Sequence, residues 1–170
     1  MKRIALIIIC SALLTACHND PPIVGRPTSG QKNLKEHLIN ANRTIAQSEE
    51  TSINEYIARR GWNMEKLPEG ARLWEYEKGN GNKIDFEDSV HITYSVEAIN
   101  GKIIYNDIKE DYVAGRRQQM IGLDQAVLQL CVGSRAKVIL PSNLGYGIGG
   151  DGDRIPQSAI LVIDLYVTDK

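Results

Sequence analysis

The strongest constraint on this chain is a change of hydrophobic period at Lys66–Gly70. Before it, apolar residues recur at helical spacing; after it, they recur every second residue almost to the C-terminus. Arg72–Glu77 alternates, with Trp74 and Tyr76 on one face and Leu73 and Glu75 on the other. Ser89–Ile99 is a longer strand, and Asn100-Gly101 directly after it is a strong short-range hairpin signal. Lys102–Asn106 is expected to return beside it. Gly122–Leu130 breaks the alternation with Leu123, Val127 and Leu130 on one helical face, and two further strands, Arg135–Pro141 and Ala159–Val167, close the pattern. This implies an α+β fold, one antiparallel sheet with a short helix over one face.

Upstream, Leu34, Leu38, Ala41 and Ile45 keep one helical face, and Ile53, Tyr56 and Ile57 resume it after a polar gap. Ser52 followed by Glu55 matches a capping box, so the expectation is one interrupted helix or two short ones. Arg59-Arg60-Gly61 reads as the helix end, with Trp62 placed to fold back on the last turn. The apolar stripe could serve a homodimer or pack on the chain's own domain. His37 reads as a solvent-face residue.

The N-terminus is of another kind. Lys2 and Arg3 precede an apolar run from Ile4 to Leu14, too short to span a bilayer, and Leu14-Thr15-Ala16-Cys17 resembles a bacterial lipobox. The expected processing removes residues 1–16 and lipidates Cys17, which ties the chain to a lipid bilayer. Residues 17–32 follow as a tether containing three prolines, 33–69 as a helical arm, and 70–170 as the folded domain. Without Lys2 and Arg3 the chain has 18 basic and 21 acidic residues, and this balance gives no electrostatic case for a nucleic-acid partner. Cys131 is then the one cysteine that is neither cleaved off nor lipidated, and it reads as a small core residue.

Gly145–Pro156, "GYGIGGDGDRIP", contains G-x-G-x-x-G but leads into a β-rich segment. A dinucleotide loop must open into a helix whose N-terminus faces the pyrophosphate, so this stretch is no nucleotide cradle. Asp151-Gly152-Asp153 lacks the remaining oxygen ligands of a calcium loop. The three histidines, His18, His37 and His91, lie far apart, His91 reads as structural in mid-strand, and no C-x-x-C, H-x-x-x-H or G-x-S-x-G occurs. The sequence therefore suggests no metal, no cofactor and no activated nucleophile.

Three stretches, "SVHITYSVEAINGKIIY", "GLDQAVLQLCVGSRAKVILPSNLGYG" and "RIPQSAILVIDLYV", occur in the order and register of one family. Over residues 70–170 the chain resembles the FKBP-type peptidyl-prolyl isomerases. The signal and arm are similar to those of Bacteroidetes lipoproteins of that family, including ones linked to gliding motility. The resemblance implies an FKBP-like half-barrel sheet wrapped on a short helix, with no cofactor. It also implies proline-containing polypeptides as partners. The signal and lipobox are what point to the cell envelope, and His18-Asn19-Asp20, without the acidic cluster linked to surface export in Bacteroidetes lipoproteins, points to the periplasmic face of a Gram-negative membrane. Carried over by position, the pocket comprises Tyr94, Ile104, Tyr105, Met120, Ile121, Leu123, Tyr146, Ile155 and Ile163. Tyr94 is a wall, the Met120 backbone N–H a donor to bound peptide, Leu123 the floor, and Tyr146 and Ile155 the ends of an arching loop. Ile104, Leu123 and Ile163 replace usual aromatics. Tyr105 stands where an aspartate is usual, with Asn106 or Asp107 in reach of that role after a one-residue shift. The aliphatic substitutions support a second reading, a non-catalytic peptide-binding module with a degenerate pocket.

Overall fold

The computed structural model describes residues 29–116 and 120–170. The signal (1–16), Cys17 and the tether up to residue 28 lie outside the described residues. The chain divides into two compact units, Met1–Asn40 and Ala41–Lys170.

One helix, α1, runs without a break over Ser29–Arg60. The expected interruption is absent because Ser52 is not a cap: its hydroxyl donates back to the Ser48 carbonyl, and Thr51 does the same to Gln47, both at 3.0 Å. Such i−4 bonds absorb the polar side chains without ending the helix. The helix stops at Gly61, whose φ of 67° suits glycine in the left-handed region. Trp62 folds back edge-on to Tyr56, 5.6 Å between centroids, and the Arg60 guanidinium lies over both rings.

Six strands form one antiparallel sheet: β1 (Glu65–Lys66), β2 (Arg72–Glu77), β3 (Ser89–Ala98), β4 (Ile103–Val113), β5 (Arg135–Leu140) and β6 (Leu161–Asp169). Their spatial order is β1-β2-β5-β6-β3-β4. The hairpin between β3 and β4 turns over Ile99, Asn100 and Gly101, closed by the Ala98 N–H donating to the Lys102 carbonyl, with Gly101 alone in the left-handed region at φ 86°. The returning strand is longer than its first residues suggest and carries a bulge opposite Ser95. There Asp107 has φ 58°; its N–H donates to the Ser95 hydroxyl, which donates to Asn106.

The short helix α2 (Ile121–Val127) covers one face of the sheet. Alternation along the central strands explains the core: Ala136, Val138 and Leu140 of β5 and Leu161, Ile163 and Leu165 of β6 share a buried cluster with Leu123, Val127 and Leu130. Their neighbours Ile139 and Val162 point through the other face, where Ile53 and Tyr56 of α1 cover them. A continuous apolar run such as Val138-Ile139-Leu140 is what a strand covered on both faces needs. The second half of α1 is therefore built into the sheet. Two carboxylate contacts fasten it, one buried at Glu49 and one partly exposed at Glu50. Glu49 accepts the Ser142 backbone N–H (3.0 Å) and hydroxyl (2.5 Å), and Glu50 accepts Arg72 (2.6 Å) and Lys66 (3.0 Å).

Cys131 is half-buried and its backbone bridges to Lys83, so it is a junction residue and not a core one. His91 on β3 is exposed and pairs with Asp111. One single-turn 3-10 segment, Ser142–Leu144, precedes the glycine-rich stretch and another, Gly147–Gly149, lies within it, and no α-helix follows before β6, in keeping with its rejection as a nucleotide loop.

Candidate functional site: a tyrosine-lined recess under a glycine flap

Strand β3 places Tyr94 and Val96 on the sheet face that carries α2, and β4 adds Tyr105 and Ile108 beside them. The head of α2 contributes Met120, extended at φ −118°, whose carbonyl accepts the N–H groups of Leu123 and Asp124. The flap between β5 and β6 contributes Tyr146, Gly150, Asp151 and Ile155. Together these residues line an open recess of about 460 Å³.

Five of the nine pocket residues named from the sequence thus meet at one recess: Tyr94, Tyr105, Met120, Tyr146 and Ile155. Ile104, Leu123 and Ile163 are not on its open surface. They are buried in the core behind it, at 6%, 1% and 0% exposure, and Ile121 packs on that core half-buried. Val96, Ile108, Gly150 and Asp151 also line the recess without having been named as pocket residues: Gly150 and Asp151 drew attention only as parts of rejected motifs, and Ile108 lies in the part of β4 beyond the expected strand.

The acidic partner of Tyr94 is a further residue missed in the sequence. Asn106 and Asp107 are taken up by the bulge, and the Tyr94 hydroxyl instead donates to Glu110 at 3.0 Å. Glu110 lies opposite Ile92 in the ladder, in line with Ile108 and Tyr112, at a position where the alternation calls for an apolar side chain. Burial, aided by the Glu110 carboxylate, pushes the Tyr94 hydroxyl far above its ordinary value.

Tyr105 does not supply an acid; it binds one. Its hydroxyl donates to Asp151 at 2.5 Å, which with burial and the charge of that carboxylate pushes the phenol up to about 12. The other Asp151 oxygen accepts three consecutive backbone N–H groups, from Asp153, Arg154 and Ile155, at 2.8 to 2.9 Å. These bonds, led by the one from Tyr105, hold the Asp151 carboxyl down at about 2. Arg154 lies over the Tyr105 ring and donates to the Ile104 carbonyl at 3.1 Å. Asp151 is thus the internal latch of the flap, which explains an Asp-Gly-Asp that has too few oxygens for calcium. No group of three or more metal-ligating side chains occurs among the described residues.

Gly150 sets the bend. It has φ 68°, and a Cβ there would lie 2.3 Å from the Ile155 carbonyl oxygen. Burial and the nearby Asp151 and Glu110 charges push the Tyr146 hydroxyl up as well, so it keeps its proton throughout the neutral range. On the α2 side, Asp124 is 2% exposed and accepts Tyr112 (3.0 Å) and the Gly115 N–H (2.7 Å), fastening the end of β4 to the helix.

The arrangement therefore offers apolar walls, proton-bearing phenols and backbone groups, and no activated nucleophile. Solved structures with the same architecture include a peptidyl-prolyl cis-trans isomerase from Pseudomonas syringae (TM-score 0.61, 23% identity, covering 74% of this chain and 92% of that one). Another is AtFKBP13 (TM-score 0.58, 19% identity, 64% and 98%). Among curated relatives, peptidyl-prolyl cis-trans isomerase FKBP11 of Bos taurus is 37% identical over 83 residues, 47% of this chain and 41% of that protein. FK506-binding protein 2 of Dictyostelium discoideum is 35% identical over 82 residues, 46% and 62%. The chain thus spans less than two-thirds of the length of either relative. The profile of the FKBP-type peptidyl-prolyl cis-trans isomerase family matches residues 81–167, from the segment before β3 into β6, and the chain belongs to that family.

Proposed function

We propose that the chain catalyses cis–trans rotation of X–Pro bonds in polypeptides. The observation that carries this is the convergence of Tyr94, Tyr105, Met120, Tyr146 and Ile155 on one recess with an apolar base. Uncatalysed rotation takes tens to hundreds of seconds because the twisted imide loses its resonance. Withdrawing the imide from water removes solvent that favours its planar, polar form. In this recess the proline ring packs against Tyr94, Val96 and Ile155, while the Met120 N–H and the Tyr146 hydroxyl donate to carbonyls of the bound chain. Tyr94 and Tyr105 are committed to Glu110 and Asp151, so they shape the site and hold the flap. Only contacts stronger in the twisted state than in the flat one accelerate the reaction, each 1.4 kcal/mol or so giving about tenfold.

The test is catalysis of a Leu-Pro bond in a blocked tetrapeptide by the purified full-length protein in detergent. Tyr146→Phe should lower kcat/KM about fivefold, the worth of one hydrogen bond of roughly 1 kcal/mol. A wild-type rate no faster than buffer would leave the second reading, a peptide-binding module without catalysis.

The setting we propose is the cell envelope. Lys2, Arg3, the apolar run and Leu14-Thr15-Ala16-Cys17 support cleavage before Cys17, lipidation there and residence on the periplasmic face of a Gram-negative membrane. The same layout supports kinship with the Bacteroidetes lipoproteins of the family, gliding-associated ones included. Incorporation of a labelled fatty acid that is lost in Cys17→Ser tests the anchor. The exposed Leu34, Leu38 and Ile39 of α1 support a homodimer through the arm, which sedimentation of the full-length protein tests.

A further inference from the structure

The flap has two sides. Tyr146, Gly150 and Asp151 line the tyrosine recess, whereas Gly147 and Ile148 line a second, larger cleft of about 720 Å³. The cleft lies between the flap and the part of α1 from Asn42 to Glu50, and its floor includes Pro68 and Pro141. Ile148 is 82% exposed, more than any other large apolar side chain recorded as exposed among the described residues; Ile45, across the cleft on α1, is 45% exposed.

Several features make this a built groove. The Glu49–Ser142 bonds and the Glu50–Arg72 pair fix its base, and two prolines stiffen the backbone along it. It therefore needs little reorganisation on binding, which is where flexible surfaces lose affinity. Its size suits several side chains of an extended peptide. It also adjoins the recess across one short stretch of flap, residues 146–150.

We infer that this cleft is a second subsite for the same client polypeptide: with an X–Pro bond in the recess, the flanking chain crosses the flap and seats an aliphatic or aromatic side chain between Ile148 and Ile45. The inference rests on the recess being the proline site. A proline in the middle of an unfolded chain always has flanking residues on both sides, and on the flap Gly147 and Ile148 of the cleft sit between Tyr146 and Gly150 of the recess. A blocked tetrapeptide ends before the cleft; an unfolded protein does not. The cleft thereby confers preference for long, unfolded substrates, while the chemistry stays in the recess.

The test compares wild type, Ile148→Ser and Ile45→Ser in the full-length protein on two substrates, the blocked Leu-Pro tetrapeptide and a protein whose refolding is limited by one prolyl bond. Both side chains are exposed, so folding tolerates the changes. Either variant should leave the tetrapeptide kcat/KM within about twofold and raise KM for the refolding protein about three- to tenfold, the effect of losing part of one buried aliphatic contact. Equal losses on both substrates, or none on either, would overturn the inference. So would a change in sedimented mass in the variants, which would give the cleft to a second copy of the chain. If wild type does not turn over the tetrapeptide at all, the proline-site reading fails on its own. Fluorescence anisotropy with a labelled, permanently unfolded chain then decides the cleft, by whether Ile148→Ser weakens binding to the same degree.

Discussion

Glu49 joins segments 93 positions apart, and removing it measures how far the helical arm is part of the sheet domain. The carboxylate is 9% exposed and Ser142 6%; it accepts both the backbone N–H and the hydroxyl of that serine. In Glu49→Ala two buried donors lose their acceptor. Each unsatisfied group costs about 1 to 3 kcal/mol, so the full loss is about 2 to 6 kcal/mol, toward the lower end where water enters the gap. Glu49→Gln keeps an oxygen for one donor and should cost about 1 kcal/mol. Urea unfolding of the full-length protein, followed by Trp62 and Trp74 fluorescence, gives the numbers from the shift in midpoint at constant slope. A cycle with Ser142→Ala isolates the pair, and a coupling of at least about 1 kcal/mol is expected. Because Ser142 opens the segment that ends at Tyr146, Glu49→Ala should also lower kcat/KM on the tetrapeptide under conditions where the protein is fully folded. A midpoint unchanged within about 0.5 kcal/mol would refute the argument, showing that the arm rests on the sheet without holding the flap.

Two further outcomes follow from the flap. Gly150→Ala combines positive φ with a Cβ against the Ile155 carbonyl, so the Asp151 latch should open and activity should fall at least tenfold with the core intact; unchanged activity would mean that the bend is not needed. The latch should also be insensitive to pH across the neutral range. The Asp151 carboxyl is depressed from 3.8 to about 2, so its stabilisation is complete above pH 4 or so and is lost as pH falls toward 2. Tyr105 is raised from 10.0 to about 12, so its share is complete below pH 10 and lost as pH rises toward 12. NMR titration of the Asp151 carboxyl carbon checks the acid limb, and a midpoint at or above 4 would contradict it.

What could be read in the sequence was whatever local chemistry decides. Asn100-Gly101 set the hairpin because only a few residues accept its backbone angles, and Leu123, Val127 and Leu130 marked the short helix by spacing alone. Where a local bond imitates a boundary the reading failed: Ser52 and Glu55 resemble a cap, but the Ser52 hydroxyl turned back on its own helix. The site divided along the same line. Tyr94, Tyr146 and Ile155 lie in segments whose register is fixed by neighbours, and they reached the recess together. Glu110 was missed because the bulge at Asp107 shifts the strand before it, so that no count along the chain brings a carboxylate to Tyr94. The Glu49–Ser142 contact is invisible to any pattern, since nothing in either segment announces the other.

The margins of the sheet bear on how the chain meets other extended backbones. At one end, β1 offers two residues; at the other, β4 is kinked at Asp107 and studded with Lys109 and Asp111. Short, bent and charged margins are poor templates for annealing another backbone. The sheet is thereby closed to a seventh strand, whether offered by another copy of the chain or by any extended segment that reaches its rim.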